Sequence, residues 1–112
     1  MPSRFEIEIA PTGYQSLKAL KALNKKLRRE IANVIDGLVR APEEQGKAFL
    51  GPLEGLRRVH AARDRFRILY RVDARSELVS VLLVGERAPG QDADIYALAQ
   101  KLLATFMNEE EE

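Results

Sequence analysis

Arg65-Phe66-Arg67-Ile68-Leu69-Tyr70-Arg71-Val72-Asp73 is the stretch whose pattern decides the fold. Phe66, Ile68, Tyr70 and Val72 share one parity, and Arg65, Arg67, Leu69 and Arg71 share the other. A β-strand sends alternate side chains to opposite faces, so this segment reads as a strand with an apolar face toward a core and a mainly basic face away from it. The same period continues on either side. Leu56 to Ala62 predicts a strand before it, and Leu78 to Val84 predicts one after it. The latter is apolar at both parities, as expected of a strand covered on both faces. Asp64 and the segment 73–76 supply turn residues, so the three strands should form an antiparallel meander.

Upstream, Phe5-Glu6-Ile7-Glu8-Ile9 alternates apolar and acidic residues, which predicts a half-buried strand ended by Pro11. Thr12-Gly13-Tyr14-Gln15 has the form of a capping box and predicts a helix with Tyr14, Leu17, Leu20 and Leu23 on one side. Asn24 marks a break. Leu27, Ile31, Val34, Ile35 and Leu38 then form the stripe of a second amphipathic helix, which Pro42 closes. Residues 43–53, with Gly46, Gly51 and Pro52, read as a loop. Downstream, Ala88-Pro89-Gly90-Gln91 is a second loop. Asp92 or Asp94 should cap a last helix striped by Ile95, Leu98, Ala99, Leu102, Leu103 and Phe106. The order β-α-α-β-β-β-α, with an αα-hairpin packed on one side of a mostly antiparallel sheet, defines an α+β domain. One domain over 1–108 is expected, followed by an acidic, frayed tail, Glu109 to Glu112.

Hydrophobic residues make up 46% of the chain and charged residues 31%, a globular rather than a disordered balance. With no cysteine and one histidine, neither a disulfide framework nor a transition-metal site is expected, and a reducing cytoplasm is compatible. The N-terminus lacks an apolar signal core, and no apolar run reaches membrane-spanning length, so a cytosolic location is expected. No phosphate-cradling glycine loop or nucleophile elbow is present, and no small-molecule cofactor is expected.

The formal net charge of +1 hides an asymmetry. Four acids close the chain, while Arg57, Arg58, Arg63, Arg65, Arg67, Arg71 and Arg75 crowd the strand region against Asp64 and Asp73. These arginines either solvate an exposed sheet face or meet an anionic partner; the guanidinium fork, which grips phosphate through two hydrogen bonds, favours the second. Lys25, Lys26, Arg28 and Arg29 form another cluster, either a solvated helix face or a contact to RNA.

Gly55-Leu56-Arg57-Arg58-Val59-His60 followed by the Arg65–Asp73 stretch resembles the basic hairpin of the RelE/ParE toxins. Val81-Leu82-Leu83-Val84-Gly85-Glu86-Arg87 resembles their last strand, and Asp94-Ile95-Tyr96 their acid-apolar-Tyr ending. The resemblance covers nearly the whole chain and lies in the conjunction of these motifs in order. It implies a toxin held by a cognate antitoxin. In the RelE branch it implies metal-independent cleavage of mRNA on the ribosome, with the 2′-hydroxyl attacking the adjacent phosphate. Carried over by position, Arg67 matches the hairpin arginine, Arg87 the arginine ending the last strand, and Tyr96 the C-terminal tyrosine. Arg58 and His60 fall where that branch places two basic residues on one strand face. A histidine there can act as a base near neutral pH, since its ordinary pKa is about 6.5. Phe66 stands where Tyr is frequent and keeps a ring able to stack on a base. Arg57 and Arg65 join the expected RNA contacts. The segment between Arg87 and Tyr96 is longer than the family pattern.

Each of these residues also has a plainer reading. His60 also reads as an ordinary strand histidine, Arg67 and Arg87 as ion-pair partners of Asp64, Glu86 or Asp92, and Tyr96 as a packing ring. Two other functions fit the same motifs: a ParE-like gyrase inhibitor that cleaves nothing, and a non-catalytic nucleic-acid-binding module or decayed toxin. The set Arg58, His60, Arg67 and Arg87 favours the ribonuclease.

Overall fold

The computed structural model describes residues 4–110. Strand β1 (Glu6–Ile9) leads into helix α1 (Pro11–Ala19), a single 3₁₀ turn and helix α2 (Lys25–Gly37). A two-residue strand β2 (Lys47–Ala48) and a second 3₁₀ turn precede the meander of β3 (Arg57–Ala61), β4 (Phe66–Asp73) and β5 (Leu78–Glu86), and helix α3 (Ile95–Glu110) is the last element of the described residues. The five strands run in the order β1-β5-β4-β3-β2. β1 lies parallel to β5, and the other pairings are antiparallel. This is the expected α+β architecture with one addition. β2 falls inside the segment read as a loop, where two residues are too few to show a period.

Two cores sandwich the sheet. On one face Leu17 of α1, Leu20 of the first 3₁₀ turn, and Ile31 and Ile35 of α2 pack on Phe66, Ile68, Tyr70, Val79 and Val81. On the other, Ile95, Leu98 and Ala99 of α3 pack on Leu53, Leu56, Leu69, Leu82 and Leu83. Asn24 is the N-cap of α2, its side chain accepting from the Leu27 N–H at 2.9 Å. Among the described residues, no helix is long and apolar enough to cross a membrane.

The capping box at Thr12 does not form. Ala10 is the N-cap and Pro11 the first helical residue, where a missing N–H costs nothing. The Thr12 hydroxyl instead donates to the Leu82 carbonyl at 2.6 Å. Tyr14 is exposed rather than packed with Leu17, because α1 turns Gly13 to the sheet and the next residue lies about 100° around the helix. Helix α3 runs two residues past the expected boundary at 108. The side chains of Leu103 and Phe106, and Glu111 and Glu112 altogether, lie outside the described residues.

One irregularity positions the site. Leu69 pairs with Leu83 and Tyr70 with Val81, so Leu82 is an extra residue in β5. A bulge of this kind resets the alternation of the strand beyond it. Val79 and Val81 face the αα-hairpin, Leu82 and Leu83 both face α3, and Val84 faces the hairpin again. Gly85 therefore lies beneath Ile95, and Arg87 points to the α3 side.

Gly13 lets α1 approach β5 closely; a Cβ there would lie 2.4 Å from the Val81 carbonyl oxygen. Helix propensity alone favours Gly13→Ala by about 1 kcal/mol, whereas the backbone clash should cost more, with a net loss of about 1–3 kcal/mol. A urea titration should show a lower midpoint for the variant; a higher one would mean that α1 can lift off the sheet freely.

Candidate functional site

An open cleft of about 510 Å³ lies on the α3 side of the sheet, and Lys47, Arg58, His60, Arg67, Arg87 and Tyr96 line it. The elements explain the gathering. Val59 and Ala61 pack toward the hairpin core, so Arg58 and His60 of β3 point the other way. His60 is paired with Arg67 across the β3–β4 ladder, and Arg67 with Gly85 across β4–β5. The ladder extends one bond further, with the Arg87 N–H donating to the Arg65 carbonyl at 2.8 Å. The structure thus brings together Arg58, His60, Arg67, Arg87 and Tyr96 despite the long segment before Tyr96.

Arg87 is fixed by a residue outside the expected site. Its guanidinium donates to Asp94 Oδ1 at 2.6 Å. The same carboxylate accepts from the Ala88 N–H at 2.6 Å and the Tyr96 N–H at 3.1 Å. Asp94 is therefore the N-cap of α3 and the anchor of Arg87 at once. It is 4% exposed. Burial pushes its carboxyl pKa up, but the hydrogen bonds from Arg87 and the two N–H groups, with the Arg87 charge, outweigh this and hold it below the usual aspartate value.

Tyr96 is the hub of an aromatic and cationic cluster. The Arg87 guanidinium stands 4.4 Å from its ring centroid and the Arg58 guanidinium 5.8 Å. Phe49 meets Tyr96 edge-on, centroids 5.4 Å apart, and Arg58 lies 4.6 Å over the Phe49 ring. The electron-rich ring face attracts cations and holds both guanidinium groups beside the cleft. Arg67 is drawn in more deeply. One of its terminal nitrogens donates to the carbonyls of Asp64 and Phe66, and its Nε–H is buried without an acceptor among the described residues. His60 remains half exposed, with Nδ1 against the Asp64 carboxylate.

The remaining expected contacts lie elsewhere. Phe66 is 1% exposed in the hairpin-side core, so it cannot stack on a base; its parity with Ile68 and Tyr70 buries it. Arg57 shares that face and donates to the Gln45 carbonyl at 2.8 and 3.2 Å, bracing the loop before β2. The Tyr70 hydroxyl meets the Pro42 and Gln45 carbonyls nearby, and burial raises its pKa. Arg65 pairs with Glu86 at 2.8 Å, outside the cleft lining. Lys25, Lys26, Arg28 and Arg29 are exposed on α2, across the sheet from the cleft. Lys47, Phe49, Asp64 and Asp94 were not among the expected site residues. Two of them left a signal: Asp94 as a possible cap, and Asp64 as a turn residue and a possible partner of Arg67.

No protein-family model matches the sequence, and no curated protein matches it. Solved structures do. The chain is similar to the RelBE2 toxin-antitoxin complex of Mycobacterium tuberculosis, at 26% identity and TM-score 0.65, over 77% of this chain and 94% of that one. A double mutant of the E. coli toxin RelE in the free state superposes with TM-score 0.62 at 18% identity, over 88% of this chain and 96% of that one. The YoeB/ParE toxin of Agrobacterium tumefaciens does so with TM-score 0.63 at 13% identity, over 75% of this chain and all of that one.

Asp94→Asn should destabilise the fold by about 1–3 kcal/mol at neutral pH, because a buried charge-assisted network loses its charge. A carboxyl with a depressed folded pKa contributes stability above its unfolded pKa of about 3.9 and loses it as pH falls through the folded value. The gap between wild type and variant, followed by thermal melts against pH, should accordingly narrow below about pH 4. A gap constant down to pH 2 would show that the charge of Asp94 is not what matters.

Proposed function

We propose, for a chain that belongs to the RelE/ParE-like toxin superfamily, that it is the toxin of a toxin–antitoxin pair and cuts mRNA bound to the ribosome. The observation that carries this reading is the cleft itself: Arg58, Arg67 and Arg87 surround a half-exposed imidazole on one sheet face, and the buried Nε–H of Arg67 has no acceptor among the described residues. Such a site suits a phosphodiester. His60 takes the proton of the 2′-hydroxyl, whose oxygen attacks the adjacent phosphorus. The guanidinium groups stabilise the negative charge of the pentavalent phosphorane. The P–O5′ bond breaks, leaving a 2′,3′-cyclic phosphate and a 5′-hydroxyl. Tyr96, whose ring lies beside the Arg58 and Arg87 guanidinium groups, gives its hydroxyl proton to the departing O5′, and its ring offers a face on which a base can stack.

The similar M. tuberculosis structure is a complex with its antitoxin. We extend that to a cognate antitoxin here, with acidic residues that meet Arg58, Arg67 and Arg87 and quench the cleft while speeding association. A cytosolic location follows from a ribosomal target.

Primer extension on an mRNA translated in a purified system tests the reading. Wild type should cut only when ribosomes are present, and Arg87→Ala should cut about 10²–10³-fold more slowly, the usual loss for one oxyanion-stabilising donor. Growth arrest without any cleavage would replace this reading with gyrase inhibition, which a DNA supercoiling assay then detects.

A further inference from the structure

We infer that Asp64 is a positioning residue for His60, holding the imidazole as its Nδ1–H tautomer with a bare Nε2 as the base. The functional consequence rests on the ribonuclease reading; the geometry does not.

Asp64 sits in the turn between β3 and β4, four residues after His60, and its carboxylate contacts His60 Nδ1. An ionised carboxylate can only accept, so the ring nitrogen facing it carries the proton. In a neutral imidazole the other nitrogen then holds a free lone pair. The turn that delivers this contact is unusual. Ala62, Arg63 and Asp64 have φ values of 50°, 60° and 67°, a left-handed run without a glycine. Asp tolerates that region, but side chains such as those of Ala62 and Arg63 adopt it rarely, when the surrounding structure holds them there. Here the holding is visible at both ends. The Arg65 N–H donates to the Ala62 carbonyl at 3.2 Å, and Arg67 donates to the Asp64 carbonyl at 2.8 Å. One residue therefore braces Arg67 through its main chain and His60 through its side chain. An incidental surface ion pair would need no such turn.

The charged groups sharing the cleft with His60 are Arg58 on β3, Arg67 on β4, Lys47 on β2 and Arg87 beyond β5, all cations. Asp64 is the carboxylate in contact with the ring. During cleavage Nε2 receives the 2′-hydroxyl proton, the ring becomes an imidazolium, and Asp64 stays ionised and accepts from Nδ1–H throughout. No proton passes to the carboxylate.

The chain has one histidine, so protein labelled with ¹⁵N-histidine yields a single imidazole. Long-range ¹H–¹⁵N correlation at about pH 8.5, two units above the ordinary histidine pKa, reads the tautomer directly. In wild type Nδ1 should be protonated and Nε2 bare. In Asp64→Ala the ring should revert to the mixture of a free histidine, in which Nε2–H prevails. A wild-type ring that is mainly Nε2–H overturns the inference without any variant, and so does an unchanged tautomer in Asp64→Ala. In the ribosomal assay, Asp64→Ala should cut about tenfold to hundredfold more slowly, within what a general base contributes. It should add almost nothing in a His60→Ala background. An equal loss in both backgrounds overturns the assignment. An Nδ1–H ring in a wild type that cuts no RNA sinks the ribonuclease reading and leaves the positioning intact.

Discussion

The extra residue at Leu82 is the constraint from which the site follows. β5 is flanked by β1 and β4 and carries packing on both faces, so its alternation decides which side chains meet which layer. Regular alternation from Val79 and Val81 would send Arg87 toward the αα-hairpin. The bulge shifts every later residue by one, and Arg87 arrives beside Arg67 and Tyr96. β3 and β4 need no such correction, since Arg58, His60 and Arg67 stand on the cleft face by plain alternation with their core neighbours. Gly85, paired with Arg67, keeps the floor low; any Cβ there would press on Ile95 at 2.8 Å.

Gathering cations is unfavourable without compensation. Two unit charges 4 Å apart repel by about 1 kcal/mol in water and about 4 kcal/mol near a protein surface. Among the described residues the answer is two carboxylates and two rings, Phe49 receiving Arg58 alongside Tyr96. Asp94 meets Arg87, Asp64 meets His60 and Arg67, and the Tyr96 ring receives Arg58 and Arg87. None of these neutralises the cleft. Each fixes a direction while Lys47, Arg58 and Arg67 still face the opening.

Local pattern carried most of the fold. The period-two run through β4 and the Leu27–Leu38 stripe of α2 each name their buried face, and both faces are buried as named. β2 escaped because two residues make no pattern. The bulge escaped because Val79 to Val84 is apolar at nearly every position, so a shift of one leaves no trace in composition. For the site, arginines on strands were legible by parity. Phe66 shows that parity outranks positional likeness, since the alternation that buries Tyr70 buries it too. Asp64 and Asp94 were legible as turn and cap residues but not as holders of His60 and Arg87. Their roles depend on where a turn and a helix start lie in space, and one sequence gives no distance between them and the residues they hold.

The exchange of hydroxyls between α1 and β5 has a consequence outside the site. β1 reaches only Val81, so among the described residues no strand covers the outer edge of β5 from Leu82 onward. Thr12 donates to the Leu82 carbonyl there, and the Ser16 oxygen accepts from the Val84 N–H at 2.9 Å while donating to Gly13. A bare, apolar sheet edge is a template on which other chains can add strands and grow fibres. The first helix plugs that edge with two side chains, so Thr12 and Ser16 take up main-chain groups that an added strand would need, at a place where neither lines the cleft.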